Sequence, residues 1–536
     1  MSLIKRLSPS LHHERRYPLR WRQTTALAAA VAISMVAGCG GGPETGQVGY
    51  VEGFLGGVMA DEPRAALVGR DILSAGGTAA DAAVATYFTM AVTMPGGAGL
   101  GGGGVCLVYD PQKKQADAFE FLPRAPVREG AKFAVPGNIR GIFAVYARHG
   151  RLNWADLLRP AEQLARDGHP VSRALVRDLN ENAASLRRHP ETARALRIAE
   201  TAMSEGTPLR QVALSAILSS VRVRGAGDFY QGTSARQFVA AVRQAGGTLT
   251  GEDMRAYLPR LQVPLQAKAG VDTVYVSGGG GIVAGRVWAM LHDGDRYKDA
   301  PPDARAHLLA EASARAYAAG RSTAGEVAIS PEAGSALAAG FDPSRRTFDA
   351  NRSVPTGAAV APASRNGASL VAVDRFGQMV ACGFTMGRPF GTGIMADGTG
   401  ILLAPADAEF AASQPAALAV VNQSTNQTFL GMAISGGSPA SLAALPFETR
   451  GGKMPLDQAI ARPRLYDPGN PDIVYHEPSM DTVAITRLRD LGYRLHDVEK
   501  LGRINGFHCP DGLPRRPVCQ FVNDPRGFGL SASADW

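Results

Sequence analysis

Residues 97–109 read GAGLGGGGVCLVY, a run of glycines that leads into an apolar segment. Glycines 97, 99 and 102 match the GxGxxG spacing of dinucleotide-binding proteins. That fingerprint follows a strand and opens a helix, whereas this run follows a predicted helix over residues 79–94 and opens a predicted strand over residues 105–109. The reversed context excludes nucleotide binding and favours a backbone that crosses a crowded core, where only glycine fits.

The segments around this run predict both helices and strands. Helices are predicted over residues 64–74, 79–94, 154–167, 234–245, 282–292 and 305–320, with one more starting in a capping box at Thr250 and another over residues 481–492. Strands are predicted over residues 105–109, 272–277, 369–373, 378–384, 428–434, 493–498 and 518–522. Most predicted helices lie in the first part of the chain and the strand pairs lie in the later part. This order indicates an α+β fold of stacked layers. Residues 322–366 lack periodicity and predict a long surface loop.

The N-terminal residues predict a lipoprotein leader over residues 1–38. A basic region up to Arg22 precedes an uncharged apolar run over residues 24–37, which at about 14 residues is too short to span a bilayer. The small residues before Cys39 resemble a bacterial lipobox, in which the cysteine is acylated. A plain secretory signal is the alternative, and Arg15-Arg16 also resembles a twin-arginine signal.

The lipid site implies a particular location for the mature protein. Residues 39–48 are rich in glycine and predict a tether between the lipid and the fold. We therefore expect an exported protein that is held by its lipid on a membrane facing the periplasm. Gly40, where an aspartate would favour the inner membrane, points to the outer membrane.

Charge and composition argue against a nucleic-acid-binding protein. Residues 1–38 contain six basic residues and one acidic residue, so the formal net charge falls from +8 to +3 when they are removed. The remaining charges are mixed and diffuse, and we expect no nucleic-acid surface. The whole chain is 45% hydrophobic, as in ordinary soluble proteins, and no second apolar span follows the leader.

Four further cysteines follow Cys39. Cys509 and Cys519 flank the turn sequence Pro-Asp-Gly, and we predict a disulfide that closes a hairpin. Cys106 and Cys382 lie in apolar strands, where buried free thiols are the commoner case. No cysteine and histidine spacing indicates a metal site, and no cofactor is implied.

Many short motifs in one order resemble the γ-glutamyltransferase family of the Ntn-hydrolase superfamily. They are 60–63 (ADEP), 76–84 (GGTAADAAV), 135–141 (VPGNIRG), 228–232 (DFYQG), 390–393 (FGTG), 400–403 (GILL), 461–464 (ARPR) and 524–526 (DPR). The match runs from about residue 50 to residue 530. It implies a four-layer αββα sandwich, with a large-subunit-like region over residues 49–366 and a small-subunit-like region over residues 367–536.

The resemblance also implies a chemistry, namely γ-glutamyl transfer and hydrolysis on glutathione-like donors. In that family the precursor cuts itself and exposes a threonine, whose hydroxyl attacks the substrate while its free amine takes the proton. Counting back from Val373-Asp374 places the nucleophile position on Gly367, which has no side chain. Ala368 and Ser369 occupy the next two positions. Ser369 is the fallback nucleophile, because it points to the same strand face as residue 367, and Ser364 is a weaker one.

The groups that hold the substrate in that family are also changed. An Arg-Glu pair becomes Leu122 and Pro123, so the planar clamp for a carboxylate is lost. Arg124 lies close by, but two residues along a strand is a shift of about 7 Å. In that family, acidic and amide groups contact the α-amino group of the substrate. Among the corresponding positions here, only Glu409 is acidic. His149, His169 and His292 lie near predicted helix ends, where caps or surface groups are expected.

The sequence therefore predicts a degenerate member of the family. We expect a lipid-anchored protein that has lost the family reaction and acts by binding a γ-glutamyl or peptide-like ligand, or by assembling with an active relative. The alternative is an active transferase or amidohydrolase with a relocated nucleophile such as Ser369. An active member would appear as two polypeptides after maturation.

Overall fold

The computed structural model describes residues 47–48, 53–199, 201–320, 329–349, 367–406 and 415–535. These residues belong to one compact unit, residues 46–536. The predicted leader, Cys39, Ser364 and Glu409 lie outside the described residues. Within the described ranges, no helix is both long enough and apolar enough to cross a membrane.

The described residues form both strands and helices, and several strands follow one another directly along the chain. The strands are β1 (Gln47–Val48), β2 (Gly56–Ala60), β3 (Gly103–Asp110), β4 (Gln115–Glu120), β5 (His169–Pro170), β6 (Pro208–Leu209), β7 (Arg260–Gln262), β8 (Leu265–Ala269), β9 (Asp272–Val276), β10 (Ala368–Asp374), β11 (Met379–Thr385), β12 (Met395–Ala396), β13 (Ile401–Leu402), β14 (Ala416–Asn422), β15 (Gln427–Ser435), β16 (Leu465–Tyr466), β17 (Val474–His476), β18 (Leu495–Asp497), β19 (Arg503–Leu513), β20 (Cys519–Val522) and β21 (Leu530–Ala534).

The helices are α1 (Pro63–Ser74), α2 (Ala79–Thr93), α3 (Pro95–Ala98), α4 (Asn138–His149), α5 (Trp154–Asp167), α6 (Arg173–Leu186), α7 (Pro190–Ala195), α8 (Val212–Arg224), α9 (Asp228–Gln231), α10 (Thr233–Gln244), α11 (Gly251–Ala256), α12 (Gly281–His292), α13 (Arg296–Asp299), α14 (Pro302–Gly320), α15 (Pro331–Ala338), α16 (Leu456–Ala461) and α17 (Thr482–Asp490). Short 3-10 turns cover Asp293–Asp295 and Pro439–Leu442, and a π-helical turn covers Phe447–Gly451.

Two seven-stranded antiparallel sheets form the centre of the fold. The first sheet has the order β21-β2-β10-β11-β3-β4-β7, and the second has the order β1-β20-β19-β15-β14-β9-β8. Strands from both predicted halves of the chain alternate within the first sheet, because β10 and β11 lie between β2 and β3. The two halves therefore share one core.

Alternating side chains of β10 show how the layers pack. Val371 and Val373 belong to a buried cluster between the two sheets, together with Ala419 and Phe507 of the second sheet. Leu370, by contrast, faces the helical layer that includes α1, α2, α4 and α5, as the two-residue period of a strand requires. A third cluster joins the second sheet to α12, α14 and α16. The predicted four-layer αββα sandwich is confirmed.

The glycine run at residues 97–104 lies where other backbone segments pass at contact distance. A Cβ on Gly101 would lie 2.0 Å from the carbonyl oxygen of Leu402, and one on Gly103 would lie 2.3 Å from that of Phe121. Real Cβ atoms do not approach oxygen so closely, so each position requires glycine. The prediction of a crowded crossing is confirmed.

The disulfides confirm one prediction and correct another. Cys509 and Cys519 are bonded and join the antiparallel pair β19 and β20. Cys106 and Cys382 are also bonded to each other, so the expectation of two free thiols is wrong. They are register partners on neighbouring strands, β3 and β11, and a single sequence does not reveal that register.

Two further expectations need correction. Residues 322–366 are not one continuous loop, because α15 lies within them and is capped by the Ser330 side chain. His149 is neither a cap nor a surface group, since its imidazole is fully buried and its Nε2 lies 2.8 Å from Asp117 Oδ2. The remaining predicted helices and strands form within a few residues of the predicted bounds.

Candidate functional site

A charged cleft lies where the central strand β10 begins. Gly367, which directly precedes β10, contributes to its wall. The other described residues that line the cleft are Gly96, Arg177, Asp178, Glu181, Asn182, Pro389, Phe390, Lys500, Gly502, Arg503 and Arg526. The enclosed space measures about 40 Å³, which corresponds to roughly three water molecules.

Gly367 is held by backbone contacts on several sides. Its φ of +135° is a conformation that side-chain-bearing residues rarely adopt. A Cβ would lie 2.8 Å from the Phe384 carbonyl oxygen and 3.0 Å from the Gly436 nitrogen. The Gly367 carbonyl accepts a hydrogen bond of 2.7 Å from Arg503 Nη2. The backbone here is therefore shaped for glycine.

None of the described residues that line the cleft carries a hydroxyl or a thiol. Acyl transfer through a covalent intermediate requires such a group beside a base. The cleft instead presents guanidinium, ammonium, carboxylate and amide groups. These groups can bind and orient a charged ligand.

Most of the charges in the cleft are fixed by neighbouring charges. Arg177 pairs with Asp178 at 2.9 Å, and Arg526 contacts Glu477 at 2.5 Å and Asp524 at 3.2 Å. Burial lowers the pKa of Arg503, but the Asp61 carboxylate at 3.3 Å and further acids outweigh burial and raise that pKa above its ordinary value. Arg503 therefore remains charged at the floor of the cleft.

Ser369 lies beneath the cleft, in a buried polar network between the two sheets. Its side chain has no exposed surface, and its Oγ accepts a hydrogen bond of 2.9 Å from Asn505 Nδ2. The Ser369 amide donates to Asp61 Oδ2 at 2.9 Å, and the Ser435 hydroxyl donates to the same oxygen at 2.9 Å. Ser369 does not line the cleft, and these partners account for its polar groups.

The structure does not bring Arg124 to the cleft. Its guanidinium lies over the Tyr257 ring, 5.0 Å from the ring centre, and its backbone pairs with Val135. The neighbouring Leu122 carbonyl accepts a hydrogen bond of 3.0 Å from the Tyr257 hydroxyl. Glu409, the other predicted substrate contact, lies outside the described residues, so both assignments stay predictions.

The cleft also contains residues that the sequence did not single out. Arg177, Asp178 and Arg503 come from segments without a recognisable motif, whereas Arg526 and Phe390 lie in the quoted motifs 524–526 and 390–393. A charged residue in a strand that is otherwise mostly buried is the sequence signal that could have indicated them, as Arg503 in β19 illustrates. Within the described ranges, no group of three or more His, Cys, Asp or Glu side chains is arranged to hold a metal ion.

The two sheets and their helical layers define the fold. Two antiparallel sheets between two helical layers form an αββα sandwich of the Ntn-hydrolase type. The structure is similar to the crystal structure of cephalosporin acylase from Bacillus halodurans, with a TM-score of 0.76 and 21% identity over 92% of this chain and 98% of that chain.

The sequence comparison then identifies the family. The gamma-glutamyltranspeptidase family model matches residues 65–431, and the chain belongs to this family. It is 28% identical to the glutathione hydrolase proenzyme of Pseudomonas aeruginosa, over 89% of this chain and 94% of that relative. It is 32% identical to glutathione hydrolase 3 of Arabidopsis thaliana, but over 39% of this chain and only 36% of that relative.

Proposed function

We propose that this protein is a catalytically inactive member of the family that binds a small γ-glutamyl or peptide-like ligand in the cleft at Gly367. The observation that carries the proposal is the absence of a nucleophile: Gly367 has no side chain, and no described residue of the cleft bears a hydroxyl or thiol. Without that group no acyl-enzyme can form. The family fold is retained, and the role that we propose for it is ligand binding.

The charges of the cleft support a charged ligand. Lys500 is partly exposed and lies 3.8 Å from Glu499, a distance at which an ion pair between exposed groups contributes little. Cationic groups suit a carboxylate, while Asp178 and Glu181 suit an amine on the same molecule. The charged end of an amino acid or short peptide carries both groups, and the interior of about 40 Å³ suits that end rather than the whole ligand.

The geometry gives little support to an active enzyme that uses Ser369. An N-terminal serine would require the chain to be cut within β10, whose residues pair with both β2 and β11. The Ser369 nitrogen already donates to the Asp61 carboxylate, and an amine held beside that carboxylate would be kept protonated, which makes it a poor base.

Polypeptide processing and turnover test the proposal. The purified mature protein should give one band near full length on a reducing gel and should not hydrolyse γ-glutamyl-p-nitroanilide. Reduction is essential, because the Cys106–Cys382 disulfide would hold two fragments together. Two bands, a new N-terminus at Ser369, or turnover that is lost in Ser369→Ala would overturn the proposal.

Ligand binding is tested with glutathione by isothermal titration calorimetry. We expect saturable binding that is not followed by turnover, and about tenfold weaker binding in Lys500→Gln, because a charge-assisted contact is lost. Arg489→Gln is the matched control, since Arg489 is exposed on α17 and does not line the cleft. Failure to bind, with co-purification of an active relative instead, would favour assembly over ligand binding.

We further propose that the protein is exported and anchored by a lipid on Cys39. The basic region, the short apolar run and the small residues before Cys39 support this location. The two disulfides support it as well, because such bonds persist in oxidising compartments. Labelled palmitate should enter the wild-type protein but not Cys39→Ala, and an unlabelled wild-type protein in the soluble periplasmic fraction would contradict the anchor.

A further inference from the structure

The helical layer over the second sheet contains a cavity that shares no lining residue with the cleft at Gly367. It lies between α12, α14, α16 and α17 and encloses about 210 Å³. Its walls are largely aliphatic and include Val287, Leu309, Leu445, Leu465, Met480 and Ala484. Pockets for drug-sized ligands usually measure about 300–1,000 Å³, so this cavity suits a smaller apolar group.

Four polar residues of this cavity also line a larger depression of about 670 Å³. Tyr297, Arg305, Glu448 and Arg462 line both spaces. Glu448 is nearly buried, and its Oε1 accepts hydrogen bonds from the Tyr297 hydroxyl at 2.7 Å and from Arg462 Nη1 at 2.8 Å. The carboxylate of Glu448 and the guanidinium of Arg462 therefore neutralise each other.

Arg305 has no carboxylate partner among the described residues. Its Nε donates to the Ala300 carbonyl at 3.2 Å, and its guanidinium lies over the Tyr297 ring at 4.9 Å from the centre. The terminal nitrogens of Arg305 have no protein acceptor in the part of the chain that the structure describes. Asp481, an exposed acid in the lining, caps α17 instead, and Arg464 pairs with Asp524.

A second polar group without a partner among the described residues also lines the cavity. The Ser441 Oγ is buried and has no hydrogen-bond partner among the described residues, and Ser441 lines the cavity. A buried hydroxyl without a partner is unfavourable, and a bound ligand with a polar end would provide that partner.

We propose that this cavity binds a short aliphatic carboxylate. The planar guanidinium of Arg305 pairs with the carboxylate, the Ser441 hydroxyl donates a further hydrogen bond, and the aliphatic walls bury the chain. A cationic ligand is disfavoured, because Arg305, Arg462 and Arg464 outnumber the acids Glu448 and Asp481 in the lining. The site is independent of the cleft at Gly367.

Calorimetric titration of the mature protein with octanoate tests this site. We expect saturable binding, about fourfold weaker binding for each methylene removed from the chain, and roughly tenfold weaker binding of the neutral octanamide. Glutathione, the probe for the cleft, should not displace octanoate. Absence of saturation at millimolar octanoate, or equal affinity for octanamide, would overturn the proposal.

Variants locate the site within the protein. Arg305→Gln should weaken octanoate binding roughly tenfold, and Ala444→Leu should block the cavity while Arg305 remains. Arg489→Gln removes a charge from an exposed position outside the lining and should bind octanoate like the wild type. Thermal melting verifies that each variant is folded, and unchanged octanoate affinity in both Arg305→Gln and Ala444→Leu would refute the assignment.

Discussion

Removal of the Cys106–Cys382 disulfide should destabilise the protein more than removal of the other described disulfide. This bond joins β3 and β11 at directly paired residues that are 276 positions apart in sequence. Cys509 and Cys519 are only 10 positions apart. All four cysteines are buried, so replacement of each pair by alanine creates similar local changes and leaves loop length as the main difference.

The magnitude follows from the entropy that each bond removes from the unfolded chain. The loop-entropy relation gives about 5 to 6 kcal/mol for the long loop and about 3 kcal/mol for the short one. Both values are upper limits, because residual structure in the unfolded state lowers them. We therefore expect the double variant Cys106→Ala/Cys382→Ala to lose about twice as much stability as Cys509→Ala/Cys519→Ala.

The assay is guanidinium denaturation of the oxidised wild-type protein and of both double variants, followed by far-ultraviolet circular dichroism. Thiol titration of the unfolded wild type verifies that both bonds are formed. If the two variants lose equal stability, or if the short-loop variant loses more, loop entropy does not govern these bonds. Free thiols at Cys106 and Cys382 in the native protein would remove the basis of the prediction altogether.

Three further predictions concern the cleft and a buried acid. Gly367→Ala should lose more stability in chemical denaturation than Gly206→Ala. Both glycines have a positive φ, whose strain costs about 1–3 kcal/mol for alanine, but only a Cβ at residue 367 would meet backbone atoms. Equal losses in the two variants would refute the contact argument. Ser369→Ala should lose about 1–3 kcal/mol by the same assay, since Asn505 loses an acceptor, and unchanged stability would contradict a structural role. Burial raises the pKa of Asp467 to about 7, so the folded state binds this proton more tightly than the unfolded state does. The free energy of unfolding should therefore fall by up to about 4 kcal/mol as pH rises from about 4 to about 7. Asp467→Asn should remove that part of the slope in denaturation at pH 5 and pH 8, and parallel slopes would contradict it.

The local elements could be predicted because their signals lie within a few residues. Thr250 and Asp253 form the predicted capping box, and Gly168 ends α5 where the sequence places it. The strands β14 and β19 were missed. Both are buried along most of their length, so neither shows the clear alternation of polar and apolar residues that marks a half-exposed strand.

The site was only partly predictable for a similar reason. The position of Gly367 was predicted by counting back from Val373-Asp374 along the family resemblance, over a short stretch of sequence without a gap. The partners across the cleft are not local, because Arg177 and Arg526 meet through a hydrogen bond between residues 349 positions apart. Contacts of that kind depend on how sheets and helices stack, and the register that bonds Cys106 to Cys382 depends on it as well.

The glycines around residue 367 show how the backbone packs at the start of β10. A Cβ on Gly97 would lie 2.4 Å from the Gly367 carbonyl oxygen, so the first glycine of the run at residues 97–104 packs directly on the backbone of the nucleophile position. That contact involves only backbone atoms and does not depend on a side chain at residue 367. The fold can therefore keep its close-packed centre when the hydroxyl is absent, while Arg503 binds the Gly367 carbonyl and Asp61 holds Ser369. The packing at this strand is therefore compatible with the proposed loss of the family reaction, and under that proposal the charged cleft at Gly367 serves for binding.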